Sequence, residues 1–263
     1  MAMNREAEKI ILVTNDDGIT APGIRNLVQA VRHLGRVVIV APDSPQSAMG
    51  HAITIGQPLR LERVSGIEEL EGLEAYQCSG TPVDCVKLAR DMVLGRRPDV
   101  CVSGINHGAN SSINVIYSGT MSAAMEAAIE GVPSAGFSLC DFSFEADFSV
   151  AREVAVKVAE YLLGEGMEAG TLLNVNIPKV AAADFQGIRV CRQALARWAE
   201  NFERRIDPRG KDYFWMTGQF INNDHGADTD LAALEAGYAS IVPVTFDLTD
   251  HKRRTALEDV WGG

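Results

Sequence analysis

Two hydrophobic rhythms alternate along most of the chain. Short runs that are apolar at every position are the mark of strands covered on both faces, and they are separated by stretches in which apolar residues return at helical spacing. The run IILVT at Ile10–Thr14 predicts a buried strand. After a polar loop, Pro22 and Gly23 open a helix whose apolar positions are Ile24, Leu27, Val28, Val31 and Leu34, with Gly35 placed to end it. VVIVA at 37–41 predicts the second strand, which completes a βαβ start. Further on, Thr81, Pro82 and Asp84 combine an N-cap hydroxyl, a proline at the first helical position and a first-turn acid, so a helix begins there. Strands are predicted at 99–103, 132–139 and Thr171–Ile177, and helices at 121–129 and 150–163. Beyond Pro178 the rhythm changes. Residues 193–209 are charged with interleaved aromatics, 213–216 (YFWM) look like a β segment, and a helix, a strand and a helix follow.

This pattern predicts an α/β fold with a wound, mostly parallel sheet. We divide it into a core over residues 1–180 and an extension over 181–263 that serves packing or oligomerisation. With 263 residues, 46% of them hydrophobic and 22% charged, the chain can bury a sizeable core, and wholesale disorder is excluded. Lys and Arg number 24 against 35 Asp and Glu, a formal net charge of −11. That balance argues against a nucleic-acid polymer as partner, and a small anionic substrate would need a local electropositive device such as a metal ion or oriented amides. The five cysteines, Cys78, Cys85, Cys101, Cys140 and Cys191, show no metal or disulfide spacing and read as reduced core residues. No apolar run near the N-terminus is long enough for a signal-peptide core or a membrane span, which predicts a soluble, cytoplasmic protein without membrane partners.

In an open parallel sheet ligands bind beyond the carboxyl ends of the strands, so the loops after strands carry the chemistry. The first reads NDDG and places the adjacent acids Asp16 and Asp17 where a dinucleotide-binding fold would carry GxGxxG. Unscreened, they would repel a phosphate; with Mg²⁺ or Mn²⁺ between, the pair becomes a receptor for one. The plain alternative is an Asx turn onto Gly18. After the second strand, a long polar loop offers Ser47 as a further oxygen ligand, or merely a solvated serine. His51 in that loop reads as a general acid, a phosphate donor or an ordinary loop residue. After the strand at 99–103 comes GINHGAN, then YSGT at a helix start. Asn106 supplies a neutral oxygen, and glycines with helix N-terminal amides can cradle an anion, although Thr120 also fits a simple N-cap.

These segments resemble the SurE (survival protein E) family of metal-dependent nucleoside monophosphate phosphatases. The resemblance is carried by ILVTNDDGITAPGI, VVIVAPDSPQSAMGHAIT, CSGTPVDCVKLA and PDVCVSGINHGANSSINVIYSGTMSAAMEAA, and more loosely by RWAENFERRIDPRGKDYFWMTG and GYASIVPV. It spans nearly the whole chain. It implies a Rossmann-like three-layer core and one divalent cation per subunit, Mg²⁺ or Mn²⁺, held at Asp16, Asp17, Ser47 and Asn106. It also implies hydrolysis of nucleoside 5′- and 3′-monophosphates, sometimes of short polyphosphate, and a homo-dimer or homo-tetramer with swapped C-terminal segments. Two departures are an N-terminus a few residues longer than usual and the His107-Gly108-Ala109-Asn110 sequence after Asn106.

On this reading Asp16 and Asp17 are catalytic, with one of them able to serve as nucleophile or as base toward water. Phosphate contacts fall to Asn15, Gly50, His51, Gly104, Gly108, Asn110, Ser118, Gly119 and Thr120. A phosphoaspartyl route with a DxD motif is disfavoured, because the acids are adjacent. His225, near Asp228 and Asp230, is either an acid reaching a neighbouring subunit's site or part of a solvated charged loop. The rival reading is a nucleotide-binding regulatory module without catalysis. An NAD-dependent enzyme is disfavoured by the missing glycine fingerprint.

Overall fold

A computed structural model describes residues 8–143, 145–165 and 167–261; the longer N-terminal start lies largely outside them. The first unit matches its pattern. Strand β1 (Ile10–Thr14) is buried throughout and leads through a loop into helix α1 (Pro22–Val31), whose Ile24, Leu27, Val28 and Val31 face the core. The helix stops at Val31, before Leu34. Gly35 is not a left-handed cap; a Cβ there would stand 2.5 Å from the Lys9 carbonyl oxygen, so the glycine permits β2 (Arg36–Pro42) to start close against the head of β1.

Two short strands, β3 (Leu61–Arg63) and β4 (Glu74–Cys78), precede helix α2 (Pro82–Leu88). The helix opens on a complete capping box: Thr81 Oγ1 accepts the Asp84 amide while Asp84 accepts the Thr81 amide. Next come β5 (Val100–His107), α3 (Gly119–Ile129), β6 (Ser134–Leu139), α4 (Ser149–Gly164) and β7 (Thr171–Ile177). Asp99 sits just ahead of β5, and its carboxylate accepts the Ile10 amide at 2.9 Å. The remaining elements are β8 (Ile188–Val190), the paired strands β9 (Ala196–Ile206) and β10 (Asp212–Asn222), α5 (Asp230–Glu235), β11 (Ala239–Thr245) and α6 (His251–Trp261).

Nine strands form one sheet in the order β3-β4-β2-β1-β5-β6-β7-β11-β8. From β4 to β7 all neighbours are parallel; β3 and β11 join antiparallel to β4 and β7. Helices α1 and α4 cover one face over a large apolar cluster that includes Ile11, Val13, Ile39, Val102 and Phe137. Helices α2 and α3 cover the other over Leu12, Val40, Cys85, Cys101 and Ala127. The strand order reverses at β1, which lies between β2 and β5, and the carboxyl ends of all three strands open at the same edge.

The segment after residue 180 divides in two. β8 and β11 extend the central sheet, whereas β9 and β10 pair only with each other over eleven register positions and leave Phe202, Phe214, Trp215 and Met216 exposed. Helix α6 has no buried residue. Among the described residues no helix is long and apolar enough to cross a membrane.

Candidate active site

The loop leaving β1 is shaped by Asn15. Its side-chain oxygen accepts the Gly18 amide at 3.2 Å and its amide donates to the Gly18 carbonyl at 2.9 Å, and Gly18 itself takes φ 96°. Asn15 is buried and both ends of its carboxamide serve the turn, so the Asx turn and the acidic pair coexist: Asn15 makes the turn and leaves both aspartates to the crevice.

Asp16 is buried against the first turn of α3. Thr120 donates its hydroxyl to Asp16 Oδ1, and a Cβ on Gly119 would lie 2.7 Å from the Asp16 Cβ, so only glycine lets the helix end come this close. Burial is the main influence on this carboxyl and pushes its pKa up to about 6; the Thr120 hydroxyl bond works the other way, and the Asp17 charge adds to the rise. Asp16 thus meets the positive end of the α3 dipole. Ser118 caps the helix by accepting the Met121 amide at 3.1 Å, so Ser118, Gly119 and Thr120 stand together at the crevice.

Asp17 is more open. Its Oδ2 lies 3.4 Å from the His107 amide and 3.6 Å from His107 Nδ1. His107 ends β5, where the pairing with β6 slips between Ser103 and Asn106. The Asn106 amide group donates to the Gly108 carbonyl at 2.8 Å, which orients Oδ1 as the atom offered to a ligand. Gly104, at φ 127°, is required where a Cβ would meet the Phe137 carbonyl oxygen at 2.4 Å, and Gly108, at φ 99°, has the Phe142 ring where a side chain would go.

The third loop is tied to the first, since the Gln46 amide donates to the Asp16 carbonyl at 2.8 Å. Ser47, which follows Gln46, is exposed. Gly50 donates its amide to the Tyr117 carbonyl at 3.2 Å. His51 is turned elsewhere, with Nε2 2.9 Å from Glu126 Oε2. Asn110 is buried one strand away: its amide donates to Asn176 Oδ1 at 2.7 Å and its side chain to Ser138 at 2.8 Å, so it fastens the loop after β5 to β7. The acids near His225 are also committed. Arg192 holds Asp224 and Asp228, and the buried Asp230 accepts the Ser112 and Ala194 amides at 2.7 and 3.0 Å.

The structure sets Asp16 against Gly119 and Thr120, Asp17 against His107, and the Gln46 amide against the Asp16 carbonyl, while His51 and Asn110 bond elsewhere. Sequence reasoning passes over Glu126, His107 as the neighbour of Asp17, and the Asn174 and Asn176 side chains on β7. The first lies on an otherwise ordinary helix; the other two are legible only once strand neighbours are known. Among the described residues no three His, Cys, Asp or Glu side chains gather as a metal cluster. A divalent cation nonetheless fits the donors present: two carboxylates side by side, a carboxamide oxygen and a hydroxyl are all hard oxygen donors. A buried carboxylate beside a second one and without a Lys or Arg partner among the described residues leaves negative charge that such a cation would compensate.

A Rossmann-like sheet whose switch point carries paired acids against a helix N-terminus defines an α/β protein built to receive an anionic group beyond β1 and β5. A family model described as Survival protein SurE matches residues 11–200. The chain belongs to that family. A relative from Christiangramia forsetii, called 5′-nucleotidase SurE, is 59% identical over 249 residues, covering 95% of each chain. One of the same name from Flavobacterium psychrophilum is 56% identical over 253 residues, 96% of this chain and 98% of that protein. The crystal structure of the SurE protein from Aquifex aeolicus superposes with a TM-score of 0.81 at 36% identity, over 95% of this chain and 99% of that one.

Proposed function

We propose that this chain is a 5′-nucleotidase, a phosphoric monoester hydrolase that converts nucleoside 5′-monophosphates to nucleoside and phosphate. 3′-Monophosphates and short polyphosphate are further substrates of the same site. The observation that carries the reading is the buried Asp16 beside Asp17, set against the amide-bearing end of α3 at the sheet's switch point; the names of the relatives support the substrate class.

Asp16, Asp17, Ser47 and Asn106 would hold one Mg²⁺ or Mn²⁺ per subunit. When bound, such a cation polarises phosphoryl oxygens and lowers the pKa of a water. The protein's own groups do the rest. Thr120 and Gly119 keep Asp16 fixed, while Asp17, the more open acid, orients water and accepts its proton. First-turn amides of α3 with the Ser118 hydroxyl, and the backbone around Gly104 and Gly108, steady the phosphoryl group. The exposed aromatic strands β9 and β10, with α6, serve association into a homo-dimer or homo-tetramer. The free cysteines suit a reducing cytoplasm.

Phosphate release from AMP, GMP and the other monophosphates, with Mn²⁺ and with chelator, tests the reading. Turnover should require metal and vanish in Asp16→Asn. Tight nucleotide binding without turnover in added Mn²⁺ would instead establish a non-catalytic nucleotide-binding module.

A further inference from the structure

Glu126 is a buried carboxylate for which the proposed reaction has no use. It stands on α3 about two turns beyond the end that meets Asp16, and is only 3% exposed. One oxygen takes Lys87 Nζ from α2 and the other lies 2.9 Å from His51 Nε2. Lys87 alone would neutralise it. The His51 bond adds a link across to the loop that carries Ser47.

That loop has little else to hold it. Ser47, Ala48 and Met49 are exposed, and Ala48 takes a positive φ of 58°. Its fixed points lie on either side: the Gln46 amide on the Asp16 carbonyl, the Gly50 amide on the Tyr117 carbonyl, and the His51 ring on Glu126. Further on, Thr81 donates its hydroxyl to the Ala52 carbonyl at 2.7 Å and Asp84 accepts the Thr54 amide at 3.1 Å. The Gly50 amide ties the end of the Ser47 turn to Tyr117, just ahead of the α3 cap, and the His51 contact carries the tie on to the body of the helix whose first turn grips Asp16.

We propose that Glu126 is a positioning residue for the cation site: acting through His51, it fixes the Ser47 turn opposite Asp16, so that one helix sets the spacing between the two loops that supply ligands. This rests on the metal reading above. Groups behind a ligand shell tune affinity because they fix where the ligands stand.

Mn²⁺ binding to the full-length protein, followed by the electron paramagnetic resonance signal of free Mn²⁺, tests it without recourse to activity. His51→Ala, a surface change that spares the core, should weaken binding about tenfold. His51→Gln, whose amide can still reach Glu126, should recover most of that loss. Glu126→Ala should weaken binding as His51→Ala does, and the double variant no further, since the two act as one link. Wild-type affinity in His51→Ala, or losses that simply multiply in the double variant, would overturn the inference while leaving the cation site standing. A wild-type protein that takes up no Mn²⁺ would remove the metal reading, and this inference with it. A lower melting temperature in Glu126→Ala alone, with unchanged affinity in both His51 variants, would reduce Glu126 to a structural residue.

Discussion

Asp16 holds its proton up to about pH 6 because burial disfavours its charge, and this has a thermodynamic consequence. Between the ordinary 3.8 and about 6 the native state keeps a proton that the unfolded chain has released, so stability falls as pH rises through that window and stays lower above it. A shift of that size corresponds to about 3 kcal/mol. Asp16→Asn keeps an acceptor for Thr120 and removes the charge. Metal-free Asp16→Asn should therefore melt about 5 °C or more above wild type at pH 8. The gap should close at pH 4, as calorimetry at the two pH values would show; an equal gap at both would mean that charge burial is not its cause. The acids themselves are visible in the sequence because adjacent carboxylates after an apolar run have few structural uses. What a single chain of letters hides is their inequality: nothing in NDDG says that Asp16 meets Gly119 and Thr120 while Asp17 meets His107, since those partners are brought in by β5 and α3.

At the scale of elements, the first turn of α3 is where sequence and site are most tightly joined. Gly119 is followed by a sequence rich in alanine, and by helix propensity alone an alanine there would be the better residue by about 1 kcal/mol. The added methyl would, however, stand 2.7 Å from the Asp16 Cβ. Gly119→Ala should leave far-ultraviolet circular dichroism unchanged and lower kcat/KM for AMP by about a hundredfold, because a displacement on the order of 1 Å in a positioned group costs that much. Full activity in this variant would show that the close approach is dispensable. The elements most legible from the letters alone are those with one strong period: β1, β2, α1 and α4. β4 escapes such a reading because its sequence EAYQC is only partly buried and too short to show a period. The length of β9 is hidden by charged side chains that face solvent along most of the strand. Gly35 reads as a helix stop, whereas its neighbour across the sheet, Lys9, explains it.

At the scale of the whole molecule, the chain contains a well-covered sheet and an appendage on which Phe202, Phe214, Trp215 and Trp261 are largely exposed. Trp215 is 58% exposed and Trp261 77%. If these surfaces meet in the oligomer, ending the chain after Asp250 should lower the mass measured by light scattering and leave the melting temperature of the core nearly unchanged, since α6 buries nothing. Unchanged mass would assign association to another surface. The core boundary proposed near residue 180 separates the parallel strands from the later segments, but the sheet itself does not end there. β11, the antiparallel neighbour of β7, arrives only after the excursion through β8, β9, β10 and α5. On the ribosome, then, the newborn subunit carries a bare edge at β7 from the time residue 177 emerges until residue 245 joins it. The strand that seals that edge is made well after β7, and the interval between the two is when this edge is open to pairing with the wrong neighbour.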